Sequence, residues 1–188
     1  MKKIITNTSD QSWLAPNYRV KDIKAIDFKA LSKEGILYAA VDIDGTLVEV
    51  GSLKEAVTDY VDHLVKAKKS GYIKKIIIAT NRLPFISKSA KQWFKVDGLI
   101  SGSILVRKPS KKYYQKLLDS LGAKPEQVVM IGDRLWQDIY GANRLGIWTI
   151  LVDDLGREPW YDRIILHRWR QNRLLKKILR NPFHKNEG

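Results

Sequence analysis

The chain has 188 residues, 34 Lys+Arg against 20 Asp+Glu, a formal net charge of +14 and no Cys. That length supports one domain of ordinary size with a sizeable core. The absence of Cys excludes a disulfide framework, Cys-ligated zinc, iron–sulfur clusters and thiol nucleophiles.

Along the chain, residues 1–35 form an N-terminal arm with a short helix predicted near Phe28–Lys33, closed by Gly35. The run Ile36–Ile43 is apolar and ends in acids, which predicts a buried strand. Ser52 followed by Glu55 is a capping box. It predicts a helix over Ser52–Ser70, stopped by Gly71. A strand over Ile73–Ala79, a turn over Thr80–Pro84 and a helix over Phe85–Phe94 come next. One or two short strands are expected within Gly98–Val106. Ser110 caps a helix to Leu121, and Gly122 follows its end. A strand over Val128–Ile131, a helix over Leu135–Leu145 and a strand over Ile147–Val152 complete residues 36–156. Strands alternating with helices predict right-handed βαβ units and a parallel sheet. Residues 157–188 are a separate basic zone, with nine Lys and Arg against three acids.

In parallel sheets the ligand site lies beyond the carboxyl ends of the strands. Asp42, Thr80 and Asp133 each sit just past a predicted strand, so they share one rim. Asp42-Ile43-Asp44-Gly45-Thr46 brings two carboxylates into a Gly turn. Such a pair alone also fits turn and capping chemistry. A second acidic turn, Gly132 to Asp138, adds carboxylates to the rim. Crowded carboxylates repel unless a cation or protons relieve them. Mg²⁺ suits them better than zinc, because His63, His167 and His184 are the only His residues. Thr80-Asn81 and Lys108-Pro109 add a hydroxyl, an amide and an ammonium. Together these groups suit a phosphoryl ligand and its metal.

The order DxDGT, Thr after a strand, Lys-Pro and GDxxxxD resembles the four motifs of the haloacid-dehalogenase (HAD) phosphohydrolases, over residues 36–152. The resemblance implies an α/β, Rossmann-like three-layer fold with a parallel sheet. It implies Asp42 as the nucleophile, Asp44 as acid and base, and Thr80, Asn81 and Lys108 on the phosphoryl oxygens. Mg²⁺ would be held by Asp42, Asp44 (through its carbonyl) and Asp133, with Asp138 supporting the metal or Lys108. The motif spacing leaves no room for a cap domain. The segments LAPNYRVKDIKAIDFKALSKEGILYAAVDIDGTLVE, KPSKKYYQKLLDSLGAKPEQVVMIGDRLWQDIYGANRLGIWTILV and EPWYDRIILHRWRQNRLLKKI are similar to the phosphatidylglycerophosphate phosphatase-like family, subclass IIIA. Gly45 stands where many members have Asn, and Ala79-Thr80-Asn81 where many have Ser-Asn-Asn. This narrower resemblance implies dephosphorylation of a phospholipid at the membrane surface.

The +14 charge attracts polyanions, whether anionic lipid, nucleic acid or phosphorylated substrate. In the C-terminal zone, Trp160 and Trp169 accompany Arg163, Arg170, Arg173, Lys176 and Lys177. That pattern suits an interfacial helix on anionic lipid. It equally suits a helix packed on the core with a solvated back; nucleic-acid binding is a less favoured third reading. No apolar run reaches the roughly 18 residues of a membrane span, and the N-terminus lacks the apolar stretch of a signal peptide. The expectation is a cytoplasmic protein at the inner face of the membrane, and no sequence feature points to an obligate protein partner. Two rivals share these residues. One is a phosphatase for a soluble metabolite, protein or nucleic-acid-end phosphate. The other is a basic nucleic-acid or assembly-binding protein with a vestigial HAD core.

Overall fold

The structure is a computed structural model; it describes residues 2–3, 13–49, 58–82 and 95–155. Seven strands form one sheet: β1 (Lys2–Lys3), β2 (Tyr18–Val20), β3 (Tyr38–Val41), β4 (Lys75–Thr80), β5 (Gly98–Ser101), β6 (Val128–Gly132) and β7 (Trp148–Val152). Their spatial order is β1-β2-β7-β6-β3-β4-β5. Strands β2 to β7 run parallel; the two-residue edge strand β1 runs antiparallel to β2. The central strand β3 aligns Val41 with Ile78 of β4 and with Ile131 of β6.

Alternate residues of these strands feed two cores, as the period of two requires. Ala39, Val41, Ile76, Ile78, Val129 and Ile131 face the helices α1 (Phe28–Lys33) and α2 (Thr58–Lys69). Ala40, Ile77, Ala79, Val128 and Met130 face α3 (Lys111–Leu121) and α4 (Gly141–Asn143). The result is a three-layer α/β sandwich, as the sequence predicts. Burial on both faces explains why the strands read as unbroken apolar runs.

Helix α3 shows how local sequence sets an element. The Ser110 hydroxyl accepts from the Tyr113 N–H at 3.3 Å and closes its start. Gly122, at φ 63, closes its end, its N–H reaching Leu118 O at 2.9 Å. Between them Tyr113, Tyr114, Leu117, Leu118 and Leu121 are buried. Full burial of each such side chain stabilises by roughly 2 kcal/mol.

Several bounds differ from the sequence reading. The strand expected over 36–43 is confined to Tyr38–Val41, because the chain turns at the acids. Only Gly98–Ser101 is strand within 98–106; the rest is a loop toward the rim. The predicted arm adds β2 to the sheet, and Tyr18, Val20, Ile23 and Ile26 enter the core. Asn17 fastens it, accepting from Thr149 N at 2.8 Å and donating its own N–H to Thr149 Oγ1 at 3.2 Å. The helix over Leu135–Leu145 is replaced by a π-helical turn, Leu135–Tyr140, running into α4. The capping box at Ser52, the start of that helix and the helix over Phe85–Phe94 lie outside the described residues. The β4–β5 connection, residues 81–97, is shorter than the roughly 50 residues a separate domain needs.

Candidate active site

Asp42 leaves the carboxyl end of β3 with its N–H bonded to Ile131 O at 2.9 Å. The chain then folds back tightly: Ile43 O accepts from the N–H groups of Thr46, Leu47 and Val48 at 3.2, 2.9 and 3.1 Å. Gly45 sits at φ 78, and a Cβ there would lie 2.5 Å from both Asp133 Oδ2 and Asp154 Oδ1. Only glycine gives this turn both its conformation and its close approach to the acids. Thr46 donates its hydroxyl to Asp133 Oδ1 at 3.4 Å.

Lys108 is 1% exposed and sits among these acids. Its Nζ lies 2.9 Å from Asp42 Oδ1, 2.6 Å from Asp138 Oδ1 and 2.8 Å from Ala79 O. The three partners use its three donors. Asp138 is fully buried, and its other oxygen accepts from Arg134 N at 3.1 Å. The π turn makes this possible. It swings Asp138 inward beneath Gly132, where a Cβ would collide with the carboxylate. Two α3 tyrosines brace the arrangement. Tyr114 donates to Gln137 O at 2.7 Å and Asp138 O at 3.2 Å. Tyr113 donates to Ile100 O at 2.9 Å and Thr80 O at 3.2 Å.

Asp42, Asp133 and Asp138 each place a carboxylate oxygen within 4.8 Å of one another, all buried. The electrostatics follow from that crowding. Burial pushes the Asp42 carboxyl up to about 6; Lys108 opposes the shift, and Asp138 and Asp44 add to it. Burial alone would lower the Lys108 pKa, but Asp138 and Asp42 outweigh it and hold the ammonium above its ordinary range. The group is thus acid-rich and metal-sized, with oxygen donors, which fits a hard divalent cation. Asp42 and Asp133 are the natural ligands: Asp138 is held on both oxygens at 2.6 and 3.1 Å, whereas Asp133 has the longer contacts, Thr46 Oγ1 at 3.4 Å and Arg134 Nε at 4.0 Å.

The structure brings Asp42, Asp133, Asp138 and Lys108 into one cluster and places Thr80 at the end of the neighbouring strand. Thr80 is fully buried, with its hydroxyl oxygen accepting from Arg82 N at 3.1 Å. Asn81, expected on the phosphoryl group, instead spends its carboxamide on the protein. Its Oδ1 accepts from Lys108 N at 2.8 Å, and its Nδ2 donates to Lys108 O at 3.1 Å and Gln137 Oε1 at 3.2 Å. It therefore positions the Lys108 backbone. Asp44 is held by Arg82 in a two-point pair, Nε to Oδ2 at 2.9 Å and Nη2 to Oδ1 at 2.5 Å. That bond and burial act oppositely on Arg82, and Asp44 wins, raising its pKa. Among the other residues at the site, Asp154 and the two tyrosines escape a motif search. Asp154 follows β7 as Asp42 follows β3, so an acid after a strand is the signal that marks it. Trp160, Trp169, Arg163, Arg170, Arg173, Lys176 and Lys177 lie outside the described residues.

Residues 105–157 match the family described as HAD-hydrolase-like. The probable phosphatase YqeG of Bacillus subtilis is 30% identical over 142 residues, covering 76% of this chain and 78% of that protein. The chain belongs to the HAD-like hydrolases. A chloroplast and mitochondrial phosphatidylglycerophosphate phosphatase of Arabidopsis thaliana is 27% identical over 178 residues, 91% of this chain and 50% of that protein. A glyceraldehyde 3-phosphate phosphatase of Pyrococcus furiosus is 37% identical over 97 residues, 46% of this chain. The chain spans 38% of that archaeal relative and 42% of its Methanopyrus kandleri counterpart. A haloacid dehalogenase-like hydrolase from Brucella suis shares the fold at TM-score 0.55, 10% identity and coverage of 71% of this chain and 93% of that one. Among the described residues, no helix is long and apolar enough to cross a membrane.

Proposed function

We propose that this HAD-like hydrolase is a Mg²⁺-dependent phosphomonoester hydrolase whose substrate is phosphatidylglycerophosphate. The observation that carries the chemistry is Asp42: a buried carboxylate at the end of the central strand, touched by an ammonium and crowded by acids. Asp42 attacks phosphorus, an Asp42–phosphorus bond forms, and the bond to the leaving oxygen breaks. Asp44 gives that oxygen its proton, then takes one from the water that attacks the aspartyl-phosphate. Inorganic phosphate leaves and the Asp42 carboxylate is restored. Arg82 orients Asp44 for this work, and one of its two contacts yields to the leaving oxygen. Lys108 gains a phosphoryl contact as Asp42 bonds to phosphorus, because a phosphorylated Asp42 carboxyl has lost its charge and is a poorer acceptor for its N–H. Thr80 holds a second phosphoryl oxygen. Asp42, Asp133 and the Asp44 carbonyl would hold Mg²⁺, which neutralises charge developing on the phosphoryl group.

Two observations support the lipid. The similarity to the plant enzyme runs over 91% of the chain, too much to be confined to residues 36–156. The β4–β5 connection is too short for a separate domain, and a rim with no domain over it at that point suits a headgroup in a membrane. A soluble substrate is the second reading, favoured by 37% identity to the archaeal sugar-phosphate enzyme over the shared segment. The test is phosphate release with Mg²⁺ and with EDTA. It compares phosphatidylglycerophosphate in mixed micelles with soluble esters, glyceraldehyde 3-phosphate among them, with Asp42→Asn as control. Preference for the soluble esters refutes the lipid assignment; activity that survives in Asp42→Asn refutes the mechanism.

A further inference from the structure

The loop after β5 carries two aliphatic side chains where a turn ordinarily carries polar ones. Ser103 N donates to Val106 O at 2.8 Å, and Val106 N donates to Ser103 Oγ at 3.0 Å, closing a four-residue turn. Its two corners are Ile104 and Leu105, 90% and 89% exposed. Turn corners favour Gly, Pro, Asn, Asp and Ser, which suit the backbone and water alike. An Ile-Leu corner instead holds apolar surface out in solvent, and hydration disfavours it. The tip is tied to the catalytic rim at both ends: Gly102 N donates to Thr80 O at 2.8 Å, and two residues past Val106 the chain reaches Lys108. Along its own stretch of chain the charge is of one sign. No Asp or Glu occurs from Gly98 to Leu118, while Arg107, Lys111, Lys112 and Lys116 are exposed.

We infer that the Ser103–Val106 turn is a lipid-docking tip, with Ile104 and Leu105 entering the apolar layer of an anionic membrane beside the catalytic rim. The cations behind it are placed to meet the lipid phosphates. Aliphatic insertion backed by basic residues is the composition of interfacial membrane contacts. Nucleic acid would use the charge and leave the aliphatic corners unused. The inference deepens the lipid reading above and rests on it for the substrate, though not for the binding.

The experiment uses the full chain and vesicles of phosphatidylcholine with or without phosphatidylglycerol. Ile104→Ser/Leu105→Ser is expected to weaken partitioning onto the mixed vesicles at least tenfold, with hydrolysis of a soluble ester unchanged. Arg107→Gln/Lys111→Gln/Lys112→Gln is expected to remove the preference for phosphatidylglycerol. Because the chain has no Cys, Leu105→Cys accepts a single environment-sensitive fluorophore, which should brighten on vesicle addition. Wild-type binding by the Ser variant together with a silent probe overturns the tip, and so places any membrane contact elsewhere in the chain. Concentration-dependent self-association that the Ser variant abolishes, without vesicle binding, overturns it in favour of a second copy. Vesicle binding through the tip with no phosphatidylglycerophosphate hydrolysis sinks the substrate and keeps the tip. Hydrolysis of that lipid undiminished in the Ser variant does the reverse.

Discussion

Replacing Asp42 should make the metal-free protein more stable. Asp42, 4% exposed, shares one ammonium with the fully buried Asp138. Its folded pKa of about 6 stands above the ordinary value of 3.8. A carboxyl raised on folding contributes stability that is fully present below pH 4 and lost as pH rises through 6. A shift of this size, at 1.36 kcal/mol per unit, makes ionised Asp42 a liability on the order of 3 kcal/mol at pH 8. Asp42→Asn keeps the shape and removes the charge, and Lys108 retains Asp138 and Ala79 O as partners. In EDTA at pH 8 the variant should therefore melt higher by roughly 6–12 °C, at about 2–4 °C per kcal/mol. The gap should narrow steadily between pH 6 and pH 4 and vanish below. Mg²⁺ should reverse the order at pH 8 by binding the wild type more tightly. Thermal unfolding by circular dichroism from pH 4 to 8, with and without Mg²⁺, reads all of this. A wild type more stable than the Asp42→Asn variant in EDTA at pH 8 would refute the reasoning, since the Lys108 pair would then outweigh burial and repulsion.

Asp138→Ala should act in the opposite direction. It removes the 2.6 Å partner of Lys108 and the carboxylate that accepts from Arg134 N, at a loss of about 3 kcal/mol, the lower end for a broken buried pair because Asp42 remains; an unchanged urea midpoint would contradict this. Mg²⁺ binding should release a proton below pH 6, where Asp42 is protonated, and almost none above pH 7, so calorimetry in buffers of different ionisation enthalpy should show buffer-dependent heats only at low pH. Arg82→Ala should lower kcat/KM by at least tenfold while changing stability by less than about 1 kcal/mol, since its partner Asp44 is partly solvated. Arg82→Lys should not restore the rate, because a lysine cannot reproduce the two-point hold on Asp44; full rescue by Lys would reduce Arg82 to a simple positive charge.

The layer order and much of the site follow from local sequence. Apolar runs ending in Asp42, Thr80 and Asp133 are local signals, and a parallel sheet brings such strand ends to one rim whatever the loops do. Helix α3 was legible to the residue, because Ser110 and Gly122 are local stop signals. Contacts between distant segments settled the rest. Strand β2 could not be read from Tyr18–Val20, since its partner Ile150–Val152 lies some 130 residues away and its three residues carry too little periodicity. The π turn at Leu135–Tyr140 was hidden because its sequence has ordinary helical spacing. What swings Asp138 inward is a buried ammonium arriving from the β5–α3 loop. For the same reason Asn81 and Arg82 acquired their roles only in space, one on the Lys108 backbone and one on Asp44. Charge states depend on burial and neighbours, and those exist only once strands far apart in the chain lie side by side.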